Sequence, residues 1–216
     1  IFGNNIKSLC QDNYGDIWVG TELGVSKLNT KTRKFKRITN TKYNLKDIEK
    51  IFNDKNGNIW FKNSDGIYKY EQKSNEVECI SCGDNLEINS FSNIFSTHNK
   101  EIIISTFSNL FKYDIHSDTV KSMISSNHSN IEISFVTDII EVDSILWIGS
   151  KNGLIRLPYD QALEPQSYTA KTSSLANDDI RDIDYSKTKN ELWISTKNGI
   201  SILNLNSFTF ENIQVT

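Results

Sequence analysis

The chain has 216 residues and a net charge of −3 at pH 7, with both signs of charge spread along its length. It has no basic stripe that would bind a phosphate backbone and no apolar run approaching the about 18–20 residues of a membrane span, which argues against nucleic acid as a partner and against a transmembrane helix in this segment. Eleven Phe, eight Tyr and four Trp, with one Met and two Pro, favour strands over helices and predict an all-β protein.

Five similar segments follow one another along the chain, each centred on a tryptophan or on an isoleucine in its place. The anchors are 42, 43, 44 and 46 residues apart and stand at Trp18, Trp60, Ile103, Trp147 and Trp193. Self-similarity at this period indicates a structural unit repeated along the chain, and it argues against a catalytic motif that occurs twice.

Each repeat has the same internal order. An apolar pair three residues apart, such as Ile6 and Leu9, opens the first strand, and a polar turn such as DNYG leads to the tryptophan strand IWVGT. A second turn ends in glycine, or in Asn109 in the third repeat, and two further strands follow, the last of them more polar. Four short antiparallel strands in each repeat predict β-propeller blades.

We therefore predict an all-β protein in which residues 1–216 form a single β-propeller domain or a fragment of one. The blades either close into a five-bladed ring or belong to a larger ring, for example one of seven blades. The sequence begins without Met, and we expect it to be a piece of a longer protein or a processed product. The blades are predicted at approximately residues 4–42, 43–83, 84–127, 128–172 and 173–216.

The repeated tryptophan is expected to serve the core. A blade is a twisted sheet that must bury both faces, and a large flat side chain fills the wedge between neighbouring blades. Replacing Trp18 or Trp193 by Ala is therefore expected to cost roughly 3–5 kcal/mol of stability.

The repeat resembles a known family. The stretch DNYGDIWVGTELGVSKLN is similar, nearly residue for residue, to the two-component regulator propeller repeat, and LWIGSKNGLIRL and LWISTKNGISIL are also good matches. The second repeat has Lys62 and Asn63 in place of the Gly-Thr pair, and the third has lost the Trp and the second Gly. The resemblance covers essentially the whole chain, although the family commonly has seven blades in a ring.

The resemblance implies a function. Such repeats build the periplasmic sensor region of hybrid two-component histidine kinases, typically in Bacteroidetes that degrade polysaccharides. It implies a non-catalytic module that senses an oligosaccharide or another small ligand, in a receptor that is a homodimer and reaches the membrane and the kinase only through other segments. The alternatives are an interaction scaffold without a small ligand and, less favoured, a propeller lyase, for which Asp178, Asp179 and Asp182 are the nearest acidic group.

A ligand site is predicted on one face of the blades. Loops that enter each first strand and loops that follow each second strand collect there, and mixed charges, amides and aromatic rings suit the hydroxyl groups of a sugar. The candidate ligand-binding residues are Lys7, Glu22, Tyr43, Lys46, Glu49, Asp65, Phe107, Lys151, Asn152, Asp179, Arg181, Lys197 and Asn198.

The cysteines and histidines of the sequence give little support to a redox site or a metal site. Cys79 and Cys82 form a C-x-x-C without a second ligand pair, so incidental thiols or a local disulfide are favoured over a redox or metal site. The histidines share no spacing and fall in predicted turns and loops. We predict no cofactor, no metal site and no catalytic residue. The three histidines are His98, His116 and His128.

Overall fold

The computed structural model describes residues 1–54, 56–82, 93–97, 101–106, 109–114, 117, 119–123, 131, 133–159 and 163–213. Within these ranges, twenty strands form five antiparallel sheets of four strands, and each sheet follows chain order from its first to its fourth strand. The sheets confirm the predicted all-β fold of four-stranded propeller blades.

The chain divides into two compact units. The first spans Ile1–Ser90 and His98–Ile102, and the second spans Phe91–Thr97 and Ile103–Thr216. The first unit contains the sheets that we call blades 1 and 2. Blade 1 consists of β1 (Ile6–Gln11), β2 (Ile17–Thr21), β3 (Gly24–Asn29) and β4 (Lys34–Ile38), and blade 2 of β5 (Lys50–Asn53), β6 (Ile59–Asn63), β7 (Gly66–Glu71) and β8 (Glu76–Cys82).

The second unit contains blades 4 and 5 and, apart from Ile102, the strands of blade 3. Blade 3 consists of β9 (Asn93–Ser96), β10 (Ile102–Ser105), β11 (Leu110–Asp114) and β12 (Thr119–Ser122). Blade 4 consists of β13 (Asp138–Val142), β14 (Ile145–Ser150), β15 (Gly153–Pro158) and β16 (Gln166–Tyr168). Blade 5 consists of β17 (Ile180–Ser186), β18 (Glu191–Thr196), β19 (Gly199–Asn204) and β20 (Thr209–Ile213).

The turn between the first and second strands differs between blades. In blade 1 the amide of Gly15 donates to the carbonyl of Asp12 at 3.0 Å, and Gly15 has a φ of 85° that side chains with a Cβ adopt only under strain. In blade 4 the turn has two residues, Asp143 and Ser144, both with positive φ. Two such residues give the hairpin turn whose twist matches that of the flanking strands.

The turn between the second and third strands is closed by a side-chain hydroxyl in blades 1, 4 and 5, and by the side-chain carbonyl of Asn63 in blade 2. In blade 5 the Thr196 Oγ1 accepts a hydrogen bond from the amide of Asn198 at 3.2 Å and donates one to the carbonyl of Gly199 at 2.9 Å. Ser150 makes the same pair of bonds in blade 4. The Thr or Ser that ends the tryptophan strand is therefore explained by local turn chemistry.

Neighbouring blades within a unit pack through the apolar pair that opens each first strand, which we call the opening pair. Ile48 and Ile51 of blade 2 lie in one core with Trp18 and Val25 of blade 1. The opening pair of blade 4 lies in a core with blade 3, and that of blade 5 in a core with Trp147 of blade 4. The wedge between two blades is thus filled by an opening pair on one side and by the tryptophan strand on the other.

The predicted role of the tryptophan between blades holds for blades 1 and 4 and is corrected for blade 5. Trp18, Trp60 and Trp147 are 1%, 0% and 1% exposed, whereas Trp193 is only half-buried. Because Trp193 belongs to none of the hydrophobic cores formed by the described residues, the expected cost of about 3–5 kcal/mol does not apply to Trp193.

Candidate functional site

Two kinds of connection meet at one end of each sheet. The segment that leads into a first strand lies beside the turn between the second and third strands, because the amide of Lys197 donates to the carbonyl of Asp179 at 2.9 Å and that of Lys151 to Ser134 at 3.1 Å. We call these connections, with the first residues of the adjoining strands, the tip face. Each unit has its own tip face.

Charged groups on the tip face of the first unit have hydrogen-bond partners within the unit. The Nζ of Lys7 lies 2.5 Å from the Oδ1 of Asp47, and this hydrogen bond raises the pKa of Lys7 above its ordinary value. The carboxylate of Glu22 accepts hydrogen bonds from the backbone amides of Asn4 and Asn5 at 3.2 and 3.0 Å. Glu22 therefore holds the first residues of the chain against the turn.

Three further candidate ligand-binding residues of this unit form hydrogen bonds with neighbouring residues. Glu49 accepts a hydrogen bond from Lys62 at 2.6 Å, and Asp65 accepts one from the side-chain amide of Asn44 at 2.9 Å. The backbone carbonyl of Lys46 accepts a hydrogen bond from the side-chain amide of Asn63. These groups are exposed or half-buried.

Tyr43 is more a part of the core than the sequence suggests. It is half-buried, packs against the core of the first unit, and its ring centroid lies 5.6 Å from that of Tyr68. The Nζ of Lys42 lies 5.0 Å from the Tyr43 ring centroid, and a hydrogen bond with Tyr43 raises the pKa of Lys42. One side of the Tyr43 ring is therefore used by protein contacts.

The tip face of the second unit carries an aromatic residue that sequence analysis missed. Phe135 is 38% exposed and has a φ of 51°, a left-handed conformation that is costly for a bulky side chain. The Nζ of Lys151 lies 4.3 Å from its ring centroid, within the range of a cation–π contact. The signal in the sequence was a phenylalanine directly before Val136, the first residue of the opening pair of blade 4.

The remaining predicted residues of the second unit lie on the same face of blades 4 and 5. Arg181 donates to Asp179 at 2.8 Å. The other carboxylate oxygen of Asp179, Oδ1, is buried and has no hydrogen-bond partner among the described residues. Asn198 and Lys197 are exposed and Asn152 is half-buried. The backbone amides of Asn152 and Asn198 donate to the hydroxyl groups of Ser150 and Thr196. Phe107 lies outside the described residues.

The opposite end of blade 1 holds a buried polar network. Asp12 is 5% exposed, and its Oδ2 accepts hydrogen bonds from Trp18 Nε1 and Lys27 Nζ, both at 2.8 Å. Burial acts to raise the pKa of Asp12, but the hydrogen bonds from Lys27, Trp18 and two backbone amides outweigh it and hold the pKa below its ordinary value. Because every donor comes from the blade itself, this network is structural.

Neither Cys10 nor Cys79 supplies a reactive thiol. Cys79 is disulfide-bonded, and Cys10 carries a free thiol whose pKa is raised to about 12, chiefly by burial. A thiol with so high a pKa is a poor nucleophile at neutral pH. Within the part of the chain that the structure describes, no group of three or more His, Cys, Asp or Glu side chains is arranged to hold a metal ion. The three histidines fall outside that part.

The described residues contain no helix with the length and apolarity needed to cross a membrane.

Comparison with known proteins supports the family resemblance at the start of the chain. The profile of the two-component regulator propeller family matches residues 1–22. No curated protein sequence matches the chain.

Solved structures share the fold. The extracellular domains of two hybrid two-component systems of B. thetaiotaomicron, BT3049 and BT4673, superpose with TM-scores of 0.78 and 0.73 at 18% identity over 98% and 93% of the chain. The chain spans only 30% and 27% of the length of these two proteins. The virginiamycin B lyase of Staphylococcus aureus superposes with a TM-score of 0.72 at 13% identity, over 98% of this chain and 70% of the lyase.

Proposed function

We propose that the chain, whose residues 1–22 carry the two-component regulator propeller sequence, is a non-catalytic ligand-sensing module of a hybrid two-component receptor and responds to an oligosaccharide. The propeller fold that it shares with the extracellular domains of two such systems supports the receptor context. An extracytoplasmic, periplasmic location and a homodimeric receptor belong to the same proposal.

The observation that carries the proposal is the pair of Phe135 and Lys151 on the tip face of the second unit. An aromatic ring that is exposed although its backbone is in a costly conformation offers a flat apolar surface to the C–H face of a sugar ring. The ammonium group above the ring can donate hydrogen bonds to sugar hydroxyls or pair with a sugar carboxylate.

The amides and charges around this pair complete a surface suited to hydroxyl groups. Asn152 follows Lys151 in the same turn, and Lys197, Asn198 and the Arg181–Asp179 pair supply donors and acceptors on the neighbouring blade. A sugar needs such alternating partners, because each of its hydroxyl groups both donates and accepts hydrogen bonds.

Thermal unfolding against a panel of plant, host and microbial oligosaccharides tests the proposal. A ligand present at 100 times its Kd should add about 2.7 kcal/mol and raise the Tm by about 5–10 °C. Phe135→Ala and Lys151→Ala should remove this shift, whereas Lys187→Ala, an exposed lysine in the turn between β17 and β18, should leave it unchanged. The absence of any shift in a cooperatively unfolding sample would contradict an oligosaccharide site within these blades.

A lyase is the second candidate, because the lyase of Staphylococcus aureus has the same fold. The nearest acidic residues in this chain are already engaged: Asp178 accepts a hydrogen bond from the amide of Ala170 at 2.6 Å, and Asp179 pairs with Arg181. Product formation from any member of the oligosaccharide panel, followed by mass spectrometry, would favour the lyase over the sensor.

A further inference from the structure

The hairpin of β3 and β4 in blade 1 concentrates positive charge. Five of the 24 basic residues of the chain lie within the seven residues 31–37, without an acidic residue among them, although the whole chain has a net charge of −3. All seven residues are exposed. We call residues 31–37 the basic edge, because β4 is the last strand of its sheet. The cationic residues of the basic edge are Lys31, Arg33, Lys34, Lys36 and Arg37.

The positive charge of the basic edge is not neutralised by the described residues. The ion pairs of the first unit involve other lysines, and none of them includes a residue of the basic edge. Arg37 lies over the ring of Phe2, with its Cζ 3.3 Å from the ring centroid. A planar guanidinium that stacks on a ring keeps N–H donors in its own plane, so Arg37 can still bind an anion.

Pairing within the hairpin does not explain the charge of Lys36. The register of β3 and β4 places Lys36 opposite Lys27, and Lys27 forms its ion pair with Asp12. The corresponding residues of blade 2 are Lys69 and Glu78, which form an ion pair at 2.6 Å. Like charges at facing positions destabilise a sheet and opposite charges stabilise it, so a lysine at position 36 brings the fold no gain.

Protection of a free sheet edge does not explain the basic edge either. Lysine on an edge strand hinders pairing with another chain, but the fourth strands of the other blades are edges too. Blade 3 also has two facing lysines, Lys112 and Lys121. However, none of the corresponding segments of the other repeats has more than one Lys or Arg, and each contains Asp or Glu. These segments are residues 73–79, 116–122, 160–166 and 206–212.

The shape of the basic edge suits a single polyanionic chain. Alternate residues of a strand point to opposite faces, so Lys34 and Lys36 form one row and Phe35 and Arg37 another, with about 6.6–6.8 Å between neighbours in a row. A linear chain that runs along β4 can contact both rows. A nucleic-acid duplex or a lipid surface extends beyond one strand, and the excess of acidic residues in the rest of the chain disfavours its approach.

An exposed aromatic ring within the basic edge favours a glycan among such chains. Phe35 is 45% exposed and lies in the same row as Arg37. An exposed ring offers a flat apolar surface to the C–H face of a sugar, while the neighbouring cations pair with carboxylate or sulfate groups. Segments of five to eight residues that are rich in Lys and Arg are typical of polyanion-binding patches.

We propose that the basic edge is a binding site for an anionic polysaccharide, a glycan chain that carries carboxylate or sulfate groups. The turn of the basic edge adjoins the buried polar network of blade 1, because the amide of Thr30 donates to Asp16 at 3.0 Å. It therefore lies at the opposite end of blade 1 from the tip face. The site includes none of the candidate ligand-binding residues of the tip faces, so the proposal does not rest on the proposed function.

Titration calorimetry of the chain with polysaccharides at about 0.15 M salt tests the proposal. Dextran sulfate, polygalacturonate or both should bind, which distinguishes sulfate from carboxylate recognition, and neutral dextran should not bind. The double variant Lys34→Gln/Lys36→Gln should weaken this binding at least about tenfold and should reduce the slope of log Kd against log salt by about two.

The matched control is Lys171→Gln/Lys187→Gln, which changes the net charge by the same amount. Lys171 and Lys187 are exposed and lie in the connections before and after β17. This control should bind the polysaccharide as the original chain does. An equal loss of affinity in both double variants would show that only net charge matters and would overturn the proposal.

Lys36→Glu separates binding from folding. It should weaken binding more than Lys36→Gln does, yet leave the Tm unchanged or raise it, because it places an opposite charge across from Lys27 as in blade 2. The proposal is also overturned if neither anionic polysaccharide binds. Tighter binding of duplex DNA or of phosphatidylglycerol vesicles than of either polysaccharide would overturn the choice of a glycan.

Discussion

At the scale of the residue, the repeated tryptophan has a polar partner in some blades and lacks one in another. Asp12 accepts from Trp18 Nε1, and Asp54 accepts from Trp60 Nε1, both at 2.8 Å. The Nε1 of Trp147 is buried without a partner among the described residues, because Val142 stands where blade 1 has Asp12. All three buried tryptophans therefore share the packing of the indole ring. In blades 1 and 2 a carboxylate in the first turn adds a hydrogen bond to the indole nitrogen.

Asp12→Asn should lower the free energy of unfolding at pH 7 by about 1–3 kcal/mol, because it removes the charge that pairs with the partly buried Lys27. The pKa of Asp12 is lower in the folded chain than its ordinary 3.8, so its contribution is present above that value and is lost as the pH falls through the folded pKa. Urea unfolding between about pH 5 and 2 should therefore show a weaker pH dependence for the variant than for the wild type.

Asp143→Asn is the matched control for this experiment. Asp143 is exposed in the first turn of blade 4 and has a positive φ that asparagine also tolerates. Its unfolding should keep the wild-type pH dependence. An equal loss in both variants would show that the network around Asp12 contributes no special acid sensitivity.

At the scale of the element, the fit between blades depends on the size of two residues on facing strands. Gly20 leaves room for Ile48 on the adjacent blade, and Gly149 leaves room for Ile180. Glycine inside a strand weakens the strand itself, so its use here marks a close approach between sheets.

Gly20→Ala should destabilise the chain by about 1–3 kcal/mol, because the new methyl group overlaps the side chain of Ile48. Ile48→Ala alone should cost about 2–5 kcal/mol, because it leaves a cavity in the core. The double variant should be more stable than the sum of the two losses predicts, since the loss of Ile48 Cγ2 frees the space that the new methyl group at position 20 takes. Chemical denaturation of the four proteins measures this coupling.

Ser195→Ala is the control for the element-scale experiment and should change stability little, because Ser195 is half-exposed. Strictly additive losses in the double variant would mean that residues 20 and 48 do not share one packing site.

At the scale of the whole molecule, stability is built from contacts between consecutive blades within a unit. In such an array a residue buried between two blades adds most to the free energy of unfolding, and the same residue on an exposed face of a blade adds least. The tryptophans include both cases. Trp18 and Trp147 each lie in a core with the next blade, whereas Trp193 is half-buried.

Trp18→Ala and Trp147→Ala should each cost about 3–5 kcal/mol, and Trp193→Ala should cost less than half as much. Guanidinium unfolding of the three variants, followed by circular dichroism, gives the comparison. Equal losses at all three positions would show that the face of blade 5 is as well covered as the faces of blades 1 and 4.

The sequence by itself determined the period, the four strands of each blade and the turns between them. These features depend on local chemistry: glycine or asparagine where φ is positive, a hydroxyl that closes the second turn, and alternation within short strands. The sequence also predicted which polar residues lie on the tip faces, because the order of the strands in each repeat decides at which end of the sheet each loop lies.

Only the tertiary structure decided which apolar residues are covered and which side chains meet. Ile6 and Ile48 hold the same place in their repeats, yet one is 48% exposed and the other 0%, because burial depends on the neighbouring blade and not on the repeat itself. The contact of Lys151 with Phe135 likewise joins a turn to a segment sixteen residues earlier in the sequence. Packing partners are chosen by the fold, so a pattern within one repeat cannot specify them.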